Sequence, residues 1–426
     1  MRTYQELSQR RVILFCRRAV NNLTKIADGS IFTPVPLCRG VAHMRTVSLS
    51  ISMLVVCLLI AVVVLAQNGT PASTTAAPSF LYTPNISDNT ISAYVIDSTT
   101  GSLTPIDGSP FAAANSILMT LDSDSDFAYV GGGSFSVMST FAIDSQTGFL
   151  TLVNTLPQPT YGVTGLTLTP KDRFAYVANT LGVVGYEVDK KSGFLTDIAQ
   201  PQIVLNSGGL ARGAAHPSGK FAYFSYPVLN SVSAYALNRG EGTLTAIPGS
   251  PFNAGDLPAD LVVEPCGKFL YAINTFSNDV SAYAIDRETG SLTPVPGSPF
   301  SAQRQPLGLA IDPLGHFLFV ANAYSDSVSV YAIDQSTGSL AQVSGSPFAT
   351  GRNPVAVGVD PSGNFVYTAN FAVLPTNVST VSGFALDPTT GALTPVPGSP
   401  FVSGRNPNGI AITGQRGACK QNSVND

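Results

Sequence analysis

Short runs in which apolar and polar side chains alternate recur along the chain from residue 79 onward. In the stretch from 307 to 344, Leu307–Asp312, Phe317–Asn322, Ser327–Asp334 and Gly338–Ser344 are rich in β-branched and aromatic residues. Each predicts a short strand, lettered here a to d. Between a and b stands Asp312-Pro313-Leu314-Gly315, where proline presets a tight turn and glycine is free to take positive φ. Asp334 through Gly338 turns c onto d in the same manner.

The unit then repeats. An aromatic residue, any residue, an apolar residue and Asp or Asn occur in that order at Tyr94 to Asp97, Phe141 to Asp144, Tyr186 to Asp189, Tyr235 to Asn238, Tyr283 to Asp286, Tyr331 to Asp334 and Phe384 to Asp387. Successive copies lie 47, 45, 49, 48, 48 and 53 residues apart, so seven units fill residues 79–415. Gly-Ser-Pro-Phe starts at Gly108, Gly249, Gly297, Gly345 and Gly398, where strand d leaves for the next unit. Its recurrence at one place marks a structural joint rather than a catalytic motif.

Seven four-stranded units of this length specify an all-β fold, the seven-bladed β-propeller. The first unit begins at strand b (Phe80 to Asn85), and a lone strand a (Asn408 to Thr413) follows the seventh. The C-terminal strand is therefore expected to complete the first blade and close the ring, which removes exposed sheet edges.

Composition limits what such a ring does. Only 11% of residues are charged, less than half of the usual ~25%, and 39 Gly and 31 Pro exclude both a coiled coil and charge-driven disorder. The net charge of −4 divides into +6 over residues 1–46 and −10 over the rest, which argues against nucleic acid as a partner.

The unbroken apolar run from Met53 to Ala66 fits a signal-peptide core better than a membrane span of ~20 residues, and Val64-Leu65-Ala66 offers a cleavage site before Gln67. Residues 44–66 are accordingly expected to be a signal peptide that starts at Met44, with residues 1–43 an over-extended N-terminus. The alternative is an uncleaved single-pass anchor with its N-terminus inside, the only route to a membrane. Either version exports the body: a linker at 67–78, the propeller at 79–415 and a tail at 416–426. Cys16, Cys38 and Cys57 precede the body. Cys266 and Cys419 remain, and two unpaired thiols are expected there in preference to one bridge.

The units, of the form Phe-x-Tyr-x-Ala-Asn-x-x-Ser-Asn/Asp-x-Val-Ser-x-Tyr-Ala-Ile-Asp-x-x-Thr-Gly-Ser-Leu-Thr-Pro-Val-Pro-Gly-Ser-Pro-Phe, resemble the lactonase family of seven-bladed propellers, which includes 6-phosphogluconolactonases. They are also similar to the Tyr-Val-Thr-Asn propeller repeats of surface-layer proteins. The first resemblance implies hydrolysis of a sugar-acid lactone, and the second a non-catalytic extracytoplasmic binding or surface scaffold. Active lactonases carry Gly-Pro-Arg-His at the channel mouth and a downstream His-Pro. Here the matching segment is Gly209-Leu210-Ala211-Arg212, followed by His216-Pro217, so that Arg212 stands in place of the histidine. His216 and His316 are expected in a-to-b turns, at the end away from the mouth.

Loops leading into strand a converge on a propeller's mouth, and three carry arginine: Arg304, Arg352 and Arg405. With Asn353, Asn406 and Arg212 they are expected to bind a carboxylate or phosphate, making an anionic small molecule or sugar lactone the expected ligand. Lactone opening needs a base, and without a histidine there the candidates are the carboxylates Asp256 and Asp260. Asp122, Asp124 and Asp126 start like a calcium loop but lack its glycine and final glutamate, so no metal is expected. Asn68, Asn85 and Asn377 open formal glycosylation sequons. Walker, dinucleotide and Gly-x-Ser-x-Gly motifs are absent; no cofactor is expected, and the chain is expected to be monomeric.

Overall fold

Seven antiparallel sheets follow one another along the chain, each built from one repeat unit. The computed structural model describes residues 78–114, 116–132, 137–157, 162–179, 182–198, 203–204, 212–371 and 378–414. The leader and tail expected from the sequence lie outside them, as does the expected linker up to residue 77. Among the described residues no helix is long and apolar enough to cross a membrane.

In the sixth unit the strands are Pro306–Ile311, Phe317–Asn322, Ser327–Ile333 and Leu340–Gln342, within a residue of expectation for a to c. Strand d is the correction. It ends at Gln342, and after the Gly-Ser-Pro joint a second piece, Phe348–Ala349, pairs with the other half of strand c. The joint leaves one N–H of strand c without a carbonyl partner, and its serine supplies the acceptor. Ser109, Ser250, Ser298, Ser346 and Ser399 each accept the N–H of the strand c residue sixteen positions earlier, at 2.9–3.0 Å. Blades two and three lack the phrase: in blade two strand d runs unbroken over Leu150–Pro157, whereas in blade three it is still split into Leu195–Asp197 and Ile203–Val204.

The ring closes as expected. Ala411–Ile412 pairs with Tyr82 and Leu81 of the first strand, Ser79–Asn85, and Pro407 bridges to Asn85. Backbone bonds Asn408 N to Pro84 O and Thr413 N to Phe80 O extend the seam at 2.9 Å each.

The core lies between blades. Seven buried apolar clusters occupy the seven blade interfaces; at the fifth–sixth, Phe269, Tyr271 and Ile273 meet Leu318, Val320 and Tyr331. The glycine of each c-to-d turn is explained here. Gly338 has φ +75°, and a Cβ on it would collide with the Phe269 ring of the preceding blade. Its carbonyl accepts the Tyr271 hydroxyl at 2.9 Å. The same tyrosine-to-glycine latch joins Tyr82 to Gly148, Tyr176 to Gly242, Tyr223 to Gly290 and Tyr367 to Gly101. Two interfaces lack it: Tyr129 has no partner for its buried hydroxyl among the described residues, and the sixth blade carries Phe319.

Two further expectations meet the structure. Cys266, half-buried in the a-to-b turn of blade five, is disulfide-bonded, contrary to the expected free thiol; its partner lies outside the described residues. A turn at the surface of the ring is open to a second chain segment, as a strand cysteine is not. Asn85 is wholly buried and bonded to Thr90 and Ser92, so this sequon cannot take a glycan in the folded chain. Asn68 and Asn377 lie outside the described residues.

Candidate functional site

Strands a of all seven blades surround a cavity of about 190 Å³ on the ring axis. The pairing of strands a and b aligns the blades one with another. Tyr223 opposes Ala214, and Tyr271 opposes Val262. Two residues before these partners in each blade lies one layer of the channel wall. Around the ring that layer reads Gly409, Leu118, Gly165, Arg212, Asp260, Gly308 and Ala356, and all seven line the cavity. Five blades place an uncharged, mostly small residue there, while blades four and five place an arginine and an aspartate. Among the described residues these two are the only charged ones lining the cavity.

Each is positioned by its own blade. The backbone of Arg212 is clamped to strand b, its N–H on the Ser225 hydroxyl at 3.0 Å and its carbonyl accepting the Ser225 N–H at 2.8 Å. Asp260 follows an irregularity in the register of Pro258–Val263, which places the extra residue Ala259 beside Asp260. One Asp260 carboxylate oxygen accepts the Leu261 N–H at 2.9 Å, and the other lies 3.9 Å from an Arg212 terminal nitrogen. That separation is a loose ion pair, wide enough for an oxygen of a ligand or water to share both groups. Enclosure within the channel pushes the Asp260 carboxyl above the usual carboxylate range, and the Arg212 charge offsets part of that rise.

Arg304, Arg352 and Arg405 are where the sequence puts them, in the loops leading into strand a, but their side chains stand exposed on the rim and none lines the cavity. Arg405 pairs with Asp88 at 2.7 Å. The structure thus brings Arg212 and Asp260 together and leaves the rim arginines apart. Asn353 and Asn406 hold the left-handed conformation, φ +53° and +59°, as do Gln305 and Leu257 in the same loop position. Asparagine tolerates that conformation well, which accounts for both residues without a ligand. Asp256 is exposed on the rim and accepts a bond from Asn230. His216 is in its a-to-b turn, its Nε2 2.8 Å from the Gly267 carbonyl, and burial pushes its pKa down. The three acids of the calcium-like segment form a turn: Asp122 accepts the Phe127 N–H and Asp124 pairs with Lys190.

A family model, the seven-bladed β-propeller lactonases, matches residues 165–348 and 295–412. No curated protein matches the sequence. Among solved structures, a periplasmic gluconolactonase of Pseudomonas aeruginosa superposes with a TM-score of 0.68 at 19% identity, over 79% of this chain and 99% of that one. Two proteins described as putative 6-phosphogluconolactonases, from Bacteroides uniformis and Bacteroides fragilis, superpose with TM-scores of 0.65 at 19% and 20% identity. They cover 79% and 80% of this chain and 100% and 99% of theirs.

Proposed function

The chain belongs to the lactonase family of seven-bladed β-propellers, and on that premise we propose that it is an exported lactonase that opens a small sugar-acid lactone between Arg212 and Asp260. The observation that carries the reading is the single channel layer in which two consecutive blades replace uncharged residues with an opposed Arg and Asp. The cavity, about 190 Å³, is below the ~300–1,000 Å³ of drug-sized pockets and suits a ligand of about one sugar ring. Export is supported by the disulfide at Cys266, a bond that persists in oxidising compartments.

The chemistry follows from the two groups. Asp260 takes a proton from water as the water oxygen attacks the lactone carbonyl, and its raised pKa makes it a stronger base than an exposed carboxylate. The carbonyl electrons move onto oxygen, where the Arg212 guanidinium meets the developing charge with fixed N–H donors. When the ring C–O bond breaks, Asp260 returns its proton to the departing alkoxide, giving the open hydroxy acid. Arginine does not deprotonate, so the proton transfer belongs to Asp260.

The test is hydrolysis of phosphorylated and unphosphorylated sugar lactones by residues 67–426. Asp260→Asn is expected to lower kcat about 100-fold, and Arg212→Ala to lower kcat/KM by a similar factor. A wild-type rate no faster than spontaneous opening on every lactone would remove the enzymatic reading and leave the binding-scaffold alternative.

A further inference from the structure

The strand b position that faces the charged channel layer holds a second break in the repeat. Two residues after the aligned ring of strand b, six blades carry Pro84, Gly131, Ala178, Ile273, Ala321 and Ala369, none with a polar side-chain atom. These residues stand opposite the channel layer: Gly131 against Leu118, Ala178 against Gly165, Ile273 against Asp260, Ala321 against Gly308 and Ala369 against Ala356. Blade four places a hydroxyl there instead, Ser225, and it is the blade that carries Arg212. Ser225 is wholly buried. Packing does not ask for a hydroxyl at this place, since alanine fills it in three other blades, and a buried polar group is costly unless it is bonded.

What the hydroxyl does is visible in the ladder. In blades three, five, six and seven strand a starts two residues ahead of the layer, at Val163, Pro258, Pro306 and Pro354. In blade four the strand runs over Gly213–Ala215 and starts one residue past Arg212. Arg212 therefore stands at the end of the ladder, outside it. Here the Ser225 hydroxyl serves as the acceptor: it takes the Arg212 N–H at 3.0 Å and lies 3.4 Å from the Arg212 carbonyl oxygen, which the Ser225 N–H bonds at 2.8 Å. The arginine side chain is a long lever on this anchor. Its charged end is 3.9 Å from Asp260, so a tilt of the backbone at Arg212 opens or closes the pair.

We propose that Ser225 is a positioning residue that aims Arg212 across the channel at Asp260. Its role in hydrolysis rests on the reading of that pair as the site, but its hold on the pair does not require turnover. Without the hydroxyl the Arg212 N–H loses its acceptor, the end of strand a loosens, and the guanidinium spends less time beside the carboxylate. Negative charge developing on the lactone oxygen then meets a less fixed donor. Asp260 also loses part of the positive charge that favours its ionised form, so its pKa climbs further.

The experiment is an infrared titration of the Asp260 carboxyl in residues 67–426, with the matching Asp260→Asn chain subtracted from each variant. Ser225→Ala is expected to move the Asp260 midpoint to higher pH, part of the way to that of Arg212→Ala. Ser225→Thr keeps the hydroxyl and is expected to restore the midpoint; Ile273 in blade five shows that a β-branched residue fits this place. Added to Arg212→Ala, Ser225→Ala is expected to move the midpoint no further, because it acts through the arginine. On any lactone that the wild type opens, Ser225→Ala is expected to lower kcat about tenfold and change KM less than about twofold. Alanine already fills the place in blades three, six and seven, so the fold is expected to survive, and urea midpoints check it. An Asp260 midpoint unmoved by Ser225→Ala, a shift as large with Ser225→Thr, an equal shift with and without Arg212, or an unchanged kcat would each overturn the proposal. If no lactone reacts, the hydrolytic reading falls while the titration still decides whether Ser225 holds the pair.

Discussion

The tyrosine latches offer a reciprocal test in one molecule, since the interface at Phe319 lacks the hydroxyl that five others use. Tyr271 is wholly buried, and its hydroxyl donates to Gly338 at 2.9 Å. Removing it as Tyr271→Phe deletes one neutral hydrogen bond and strands the Gly338 carbonyl between two blades. A bond of this kind is worth about 1 kcal/mol, and an orphaned buried acceptor costs about 1–3 kcal/mol. Phe319 occupies the equivalent position in blade six, opposite Val330 as Tyr271 is opposite Ala282, and Gly391 meets Phe317 as Gly338 meets Phe269. Phe319→Tyr is therefore expected to gain about 0.5–1.5 kcal/mol by reaching the Gly391 carbonyl. In a domain of this size 1 kcal/mol moves Tm by only about 1–2 °C, so urea midpoints of the two variants and wild type are the better measure. Tyr271→Phe should lower the midpoint and Phe319→Tyr raise it. If Phe319→Tyr lowers it, or if Tyr271→Phe leaves it unchanged, the hydroxyls are passengers and blade contact is governed by ring packing alone.

Two further outcomes are expected. A chain ending at Gly404 loses the strand at Ala411–Ile412, the Asn408 and Thr413 backbone bonds and the Arg405–Asp88 pair, and leaves Ser79–Asn85 as an open edge in a ring whose whole stability is of the order of ~5–15 kcal/mol; circular dichroism should show it unfolded or melting far below a chain that ends at Gly414. Asp122 is buried and its carboxyl is pushed up to about 6 by that burial, with Asp172 and Asp126 adding to the rise, so its ionisation opposes folding. This cost is absent below about pH 4, grows as pH rises toward 6 and is complete above it, and urea midpoints of Asp122→Asn should fall less than those of wild type between pH 4 and 7.

Much of this fold was legible because each repeat carries its own punctuation. Strands a to c follow from alternation and from Asp-Pro-x-Gly and Asp-x-x-Thr-Gly turns, and the seam from a chain that starts on b and stops on a. The split of strand d was not legible, since the two pieces are set by contacts with strand c such as the Ser298 hydroxyl reaching Ala282, across sixteen residues, which periodicity does not report. Arg212 and Asp260 were both visible as candidates, but as unrelated ones. Their facing arrangement appears once the units are aligned on the strand b tyrosines Tyr223 and Tyr271, which shows both residues breaking the same small-residue position. Arg304, Arg352 and Arg405 were placed in the correct loops, yet loop position alone does not set side-chain direction. The left-handed residue that follows each of them carries the chain on into strand a while the arginine faces solvent. The disulfide at Cys266 was not legible either, since cysteines in a sequence carry no information on whether they meet.

The seam in the first blade also orders events in time. Ser79–Asn85 is the first strand of the body to leave the ribosome, and its partner on the channel side, Ala411–Ile412, is the last. For the whole interval the earliest strand keeps one row of N–H and C=O groups unanswered, at a synthesis rate of about 5–20 residues per second. Adding blades does not relieve it, because every intermediate arc still has two ends. Completion of the chain, rather than accumulation of structure, is what turns an open arc with a sticky edge into a ring without one.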